Sequence, residues 1–504
     1  MSDATAEVAA ASGQRYGEWA APKHAGALLI WPDADGLADV AGANAASLDA
    51  ANVEIDGLSL RELRAESRRF LNLPADGLAI VTGHQSELHH PGVWVKNALV
   101  DAVARAAGGT AIHLALDTDT PKHLTLKWPG FEAPFTDDPR LHGRPWTGLV
   151  EPPSPAHLLT LIDAAEQGEA DGSVGPLMGE FLRRCRAFVV DQHDAVAPLD
   201  LPAMLANAEH EIDWQLGLEY SLFTMSGLAM SPPWLRFVRH LARDAERFAA
   251  AYNAALDAHR AAAGIDDPER PMPNLLVSDD EIELPFWLDD LDAATRRRLA
   301  VTRDGGRASI AGFDLDGDAD ALLMHLRRRR LRVSSRALSL TTFARLCLGD
   351  LFVHGIGGGH YDQVADRVIE SYFGVTPPTF AVSTATLFHP RAADRERVCP
   401  PCIAARGHRL RHAVLGEEKQ RWLDRIAAAS DFKHRRDIFR DMHAAMAAAR
   451  VEDATLERWR MERDRADARL EEEAVLFDRE LFYLVQPEQQ LRALIARVRA
   501  YVGQ

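Results

Sequence analysis

The sequence predicts an α/β protein with a doubly wound sheet core, mostly α insertions and a C-terminal antiparallel coiled-coil hairpin. Three stretches carry this reading. Leu78–Val81 is a short apolar run of the kind a buried parallel strand shows. Thr82 and Gly83 end it, His84 and Gln85 sit on the turn, and helical spacing follows in Val93, Val95, Leu99, Val100 and Val103. Thr110–Leu116 repeats the strand and runs into Asp117–His123. From Leu415 to about Tyr483, alanine, arginine, glutamate and leucine dominate with helical periodicity and a break near Val451–Asp453. Two long antiparallel helices account for that pattern.

These elements divide the chain into five parts. A first part of the core spans 15–155, and an inserted, mostly α connecting domain spans 156–330. A second part of the core covers 331–395, a Cys/His knuckle 396–412, and the helical hairpin with a terminal helix 413–504. At 504 residues the chain is long enough for two or more domains. It is 47% hydrophobic and 26% charged, as soluble globular proteins are. A formal net charge of -17 argues against general affinity for nucleic acid or anionic membrane. The acidic N-terminus lacks the apolar stretch of a signal peptide, and no apolar run approaches the roughly 20 residues of a membrane span. Four cysteines are too few for a disulfide scaffold and suit a reducing cytoplasm.

Taken in order, residues 1–14 read as a loose tail. Ala27–Trp31 is a strand candidate and Leu60–Leu71 a helix. The three histidines His84, His89 and His90 crowd the first strand's carboxyl end, where open α/β sheets bind ligands. Asp117 and Asp119 hold the same position on the second strand. They suit a metal, a ribose hydroxyl or an amine; alternatively Asp117 caps a turn and Asp119 is solvated. The prolines of 129–158 read as a connector leaving the sheet. Residues 156–262 are largely helical, and Glu281–Trp287 is strand-like. Arg327–Arg330 is either a solvated face or an anion-binding patch.

Leu338–Leu351 is apolar enough to be buried. It leads into His354, Gly355, Gly357 and Gly358, with His360, Tyr361 and Asp362 beside them. Glycines allow a ligand close to the backbone, and free amides there suit phosphate or carboxylate. The bland alternative is a tight turn capped by its histidines. Cys399, Cys402, His408 and His412 follow in the pattern C-x2-C-x5-H-x3-H. Two thiolates from one turn and histidines four apart on a helix could close a structural zinc site. A redox pair and no special role are the other readings. Cys185 and Cys347 read as core residues.

The turn Thr82-Gly83-His84-Gln85 and the loop His354-Gly355-Ile356-Gly357-Gly358 resemble motifs of the cysteine-adding enzyme family of bacillithiol biosynthesis. That family has a T-G-Q-Q turn after an early strand, a strand ending in acidic residues and histidine, and a later glycine-glycine loop. His84 stands where the family has its first glutamine, and Asp117-Thr118-Asp119 replaces a longer acidic and histidine run. The resemblance implies a Rossmann-like core, distantly like class I aminoacyl-tRNA synthetases, and a homodimer formed through the coiled coil. It also implies carbon–nitrogen ligation of cysteine to a sugar amine through nucleotide activation.

The leading expectation is an ATP-dependent ligase or adenylate-forming transferase joining a carboxylate or amino acid to a small-molecule amine. His84 and Gln85 would stabilise the transferring phosphate. Asp117 or Asp119 would hold the amine or act as base, with His123 as acid/base partner. Thr82, Gly83, Arg336, His354, Gly355, Gly357, Gly358, His360 and Tyr361 would meet ATP, ADP or substrate. The alternatives are a non-catalytic nucleotide or metabolite binder, and a metal-dependent hydrolase using Asp117, Asp119 and nearby histidines.

Overall fold

The computed structural model describes residues 17–503 except 34–35, 75, 192–199, 305–306, 337, 394 and 396. The tail expected over residues 1–14 lies outside the described residues. Two compact units are present: one runs up to Phe388 and resumes from Arg479, and the other is His389–Asp478.

A six-stranded mixed sheet organises the first unit. Its spatial order is Leu28–Trp31, Ala381–Ala385, Leu351–His354, Ala79–Gln85, Thr110–Leu116, Ser221–Thr224. Every neighbouring pair is parallel except the first, where Leu28–Trp31 runs antiparallel to Ala381–Ala385. From Ala79–Gln85 the chain steps outward to Thr110–Leu116 and Ser221–Thr224. It then returns to the other side of Ala79–Gln85 with Leu351–His354. The winding direction therefore reverses between Ala79–Gln85 and Leu351–His354, and the carboxyl ends of those two strands flank the switch-point crevice.

Helix Pro91–Ala107 follows strand Ala79–Gln85 and packs against four strands of the sheet, with Trp94, Val95, Leu99 and Val103 buried. Proline at its start and left-handed Gly108 at its end set its limits. Beneath the sheet's other end, the buried Asp350 carboxylate takes Arg64, Arg68 at 2.7 Å and the Ala79 amide at 2.7 Å.

The region 156–330, read as mostly α with some β, holds two β features. Ser221–Thr224 is a strand of the main sheet; its four residues are too few for a periodic signal. Within residues 281–335 lies a second, five-stranded antiparallel sheet, ordered Phe313–Asp314, Arg307–Ile310, Thr295–Asp304, Glu281–Asp290, Leu331–Ser335. Phe286 packs edge-on to Trp234 of helix Pro232–Arg243, whose indole N–H donates to the Val333 carbonyl at 2.9 Å. The proline-rich connector holds the short hairpin Thr125–Trp128/Phe131–Pro134. Arg327–Arg330 is exposed, while Arg332 is buried against Asp289 at 3.0 Å.

The expected block 413–504 is divided differently. Terminal helix Glu488–Val502 belongs to the first unit and packs on Pro91–Ala107. In the second unit, Phe432–Glu452 and Ala454–Leu476 flank the expected break at Asp453. Each long helix has a shorter partner: Glu418–Ala428 packs on the first and Pro400–Ala413 on the second. Gly407 makes room for Trp459, whose indole N–H donates to the Ile403 carbonyl at 3.1 Å. No helix among the described residues is long and apolar enough to cross a membrane.

Candidate functional site

The switch point opens into a crevice of about 720 Å³. The turn Gly83–His84 lines one side and the loop His354–Gly358 another, so the two stretches singled out in the sequence meet there. Parallel pairing of Val353 with Thr82 brings them together. Helix Ile356–Val368 starts at Gly355 with no side-chain cap. Its first amides therefore lack intrahelical partners, and the helix end carries partial positive charge. A Cβ added at Gly355 or Gly357 would meet nothing within 4 Å, so this backbone is open to a ligand.

Two cations complete the crevice. Lys96 is 3% exposed and donates to the Gly83 carbonyl at 2.8 Å. Burial pushes its ammonium down to about 7, partly offset by Glu87. Arg479 reaches in from beyond the second unit in sequence and holds Thr384 Oγ1 at 3.1 Å and the Ala385 carbonyl at 3.2 Å. His90 caps helix Pro91–Ala107 by accepting the Gly92 amide on Nδ1 at 3.1 Å. Burial, with Arg479 next, drops its pKa to about 3, so the ring is neutral and Nε2 carries the proton.

His84 lines this crevice and two further cavities. Its Nδ1 lies 3.3 Å from the Gln85 carbonyl and 3.4 Å from Glu87 Oε1. Burial, then the charges of Lys96 and His89, hold it well below the usual imidazole range, so it is uncharged at neutral pH. His89 is the opposite case. Burial opposes its charge, but the Glu209 carboxylate at 2.9 Å and the Gln85 carbonyl at 3.0 Å push it up to about 9.

The remaining expected residues divide. Gln85 Nε2 donates to Asp119, which also accepts the Thr120 amide at 2.9 Å. His123 is exposed and lines a cavity with His84, Gln85 and Glu87. Asp117 is turned away: its buried carboxylate accepts the Ser226 amide at 2.8 Å, and burial raises its pKa. It caps the start of helix Met225–Ala229. Thr82 is buried and donates to the Val353 carbonyl at 2.8 Å, pinning the two central strands. His354 lines the crevice, yet its Nε2 is 2.9 Å from Asp362, a carboxylate held ionised against burial by Arg345 and His354. Arg336 pairs with Glu283 of the second sheet, away from the crevice. His360 packs on Trp19 at 5.5 Å, and Tyr361 is half exposed; neither lines the crevice.

The Cys/His knuckle does not close. Cys399 and Cys402 are joined as a disulfide at the start of helix Pro400–Ala413, and Cys399 Sγ accepts the Cys402 amide at 3.2 Å. His408 and His412 pack against each other farther along that helix, with ring centres 4.3 Å apart and the rings tilted by 44°. With five residues between them, the second cysteine and first histidine are separated by helix rather than by a returning loop. Among the described residues no group of three or more His, Cys, Asp or Glu gathers to hold a metal, in the knuckle or at Asp117 and Asp119.

Lys96, Glu87, Glu209 and Arg479 had no assigned role in the sequence reading. Lys96 carried a usable signal, a lone cation inside the apolar run Val93–Val103. Arg479 and Glu209 carried none. Compared with models of known protein families the chain matches none, and no curated protein matches it.

Proposed function

We propose that the protein is an ATP-dependent ligase or adenylate-forming transferase, joining the carboxylate of a cysteine-like amino acid or related acid to a small-molecule amine. One observation carries this reading: an uncapped glycine-rich helix start, Lys96 and Arg479 converge on one switch-point crevice. Free amides, a positive helix end and two cations suit phosphate oxygens and the charge that develops on them. When bound, ATP supplies the leaving group that activates the carboxylate. The Gly355–Gly358 amides and Arg479 bind its phosphates, and Lys96 offsets their charge. His90, with its proton on Nε2, donates to an oxyanion. His84, uncharged at neutral pH, accepts the amine's proton as the carbon–nitrogen bond forms. The hydrolase reading loses support because Asp117 caps Ser226 and Asp119 is held by Gln85.

Thermal unfolding with ATP, ADP and magnesium, on the wild type and on Lys96→Met, tests the proposal. Ligand at 100-fold its dissociation constant adds about 2.7 kcal/mol of stability. A nucleotide-induced rise that Lys96→Met loses supports the assignment. No rise, or a rise the variant keeps, overturns it. Nucleotide binding with no phosphate or pyrophosphate release, across a panel of amines and amino acids, leaves the non-catalytic binder instead.

A further inference from the structure

We propose that a small buried chamber behind His84 is a subsite for the head of a primary ammonium group. The chamber, with about 20 Å³ of usable space, lies at the carboxyl end of Ala79–Gln85, against His113 and Ala115 of Thr110–Leu116 and against Tyr220 and Leu222 at the start of Ser221–Thr224. Helix Leu201–Gln215 supplies Glu209 and the apolar wall of Leu205.

Three buried polar atoms there lack a hydrogen-bond partner: Glu209 Oε1, Ser86 Oγ and His89 Nδ1. Glu209 is 5% exposed; its Oε2 faces His89, while its Oε1 has no hydrogen-bond partner and no access to water. Ser86 Oγ, equally buried, also has no partner. Buried polar groups are rarely left unpaired, and a carboxylate oxygen least of all. A carboxylate oxygen only accepts, so a group that satisfies Glu209 must donate a hydrogen bond, while the Ser86 hydroxyl can serve it either way.

Charge narrows its identity. Glu87 and Glu209 bring two carboxylates. His89, pushed up to about 9, brings one positive charge. His84 and His113 are uncharged, each held well below the imidazole range, first by burial. Asp213, behind Tyr220, is already saturated by Trp94 at 2.7 Å, Asn97 at 3.0 Å, Tyr220 at 2.7 Å and Tyr483 at 3.2 Å. Two carboxylates facing one imidazolium, with an unpartnered Glu209 oxygen, suit a cation bearing several N–H donors. A primary ammonium has both properties. The adjoining cavity of about 580 Å³ shares His84, Gln85, Glu87 and His89 with the chamber and has room for the body of the same molecule.

Reading this ammonium as the acceptor amine rests on the ligase proposal; its binding does not. The test uses the full chain without nucleotide. Methylammonium chloride is compared with potassium chloride and tetramethylammonium chloride by thermal unfolding and calorimetric titration, and inorganic phosphate serves as a separate probe of the crevice. Methylammonium should raise the unfolding temperature while the tetramethyl cation, which has no N–H, should not. Glu209→Gln should weaken methylammonium at least tenfold and Ser86→Ala about threefold, each keeping the wild-type response to phosphate. Equal responses to the two organic cations overturn the proposal, as does unchanged methylammonium affinity in Ser86→Ala. That variant, which loses only a hydroxyl, decides the matter if Glu209→Gln does not fold. Methylammonium binding without any ATP response would keep this subsite and remove the ligase; an ATP response without methylammonium binding would do the reverse.

Discussion

Lys96 donates its ammonium to the carbonyl of Gly83 at 2.8 Å while sealed from bulk water. Its pKa falls from 10.5 to about 7, chiefly by burial. Below about pH 7 both folded and unfolded chains carry the proton, and the fold bears the cost of burying it. Between about 7 and 10.5 the unfolded chain holds a proton that the folded one has lost, so this residue makes stability rise with pH. Lys96→Met removes the effect. The wild type's unfolding free energy minus the variant's, from urea titrations, should climb across that window by up to a few kcal/mol. A difference that stays level with pH would show the lysine to be normally solvated.

His89 titrates with the opposite sign. Its folded pKa of about 9 lies above the ordinary 6.5, so its contribution is complete below about pH 6.5 and is lost as pH rises to about 9. Glu209→Gln should return the imidazole to the neutral form by pH 7.5 and cost about 3–5 kcal/mol at pH 6, as breaking a buried ion pair does. Histidine resonances followed by NMR against pH check this. A His89 that still titrates near 9 in the variant would mean that Glu209 is not what holds the charge.

Two glycines at the crevice should respond in opposite ways to alanine. A Cβ at Gly92 would meet Arg479 at 2.6 Å, Thr384 Oγ1 at 2.7 Å and the Ala385 carbonyl at 2.8 Å. Gly92→Ala should therefore destabilise by about 1–3 kcal/mol and displace Arg479. Gly357→Ala meets nothing within 4 Å and gains helix propensity, up to about 1 kcal/mol. It should fold as well as the wild type yet bind inorganic phosphate more weakly, because its methyl group occupies the open face. Phosphate titration of a stable Gly357→Ala with undiminished affinity would place the anion elsewhere.

Asp350 fastens the start of strand Ala79–Gln85 to its neighbour Leu351–His354 through the Ala79 amide and takes Arg64 and Arg68 as well. Asp350→Asn leaves the buried Arg64 and the partly buried Arg68 short of a counter-charge and should cost about 3–5 kcal/mol in urea unfolding. A loss under about 1 kcal/mol would show the arginines to be satisfied by the carbonyls of Leu346, Leu348 and Gly349 alone.

The sequence by itself determined what depends on near neighbours along the chain. Apolar runs, one ending in glycine and one in aspartate, mark Ala79–Gln85 and Thr110–Leu116, helical spacing marks Pro91–Ala107, and Asp453 caps a new helix where the periodicity breaks. The glycine loop also marked one wall of the crevice. The direction of a side chain was not legible. Asp117 and Asp119 sit alike at a strand end, but Asp117 turns to the Ser226 amide and Asp119 to Gln85. Tertiary structure decided the rest. Strand order set Leu351–His354 beside Ala79–Gln85 and so made one crevice of two distant stretches. It brought in Arg479 from beyond a separate unit, and Glu209 from a helix with no motif. It also sank Lys96 far enough for burial to loosen its proton. Periodicity records which residues avoid water; which of the avoiding charges meet depends on contacts between segments hundreds of residues apart.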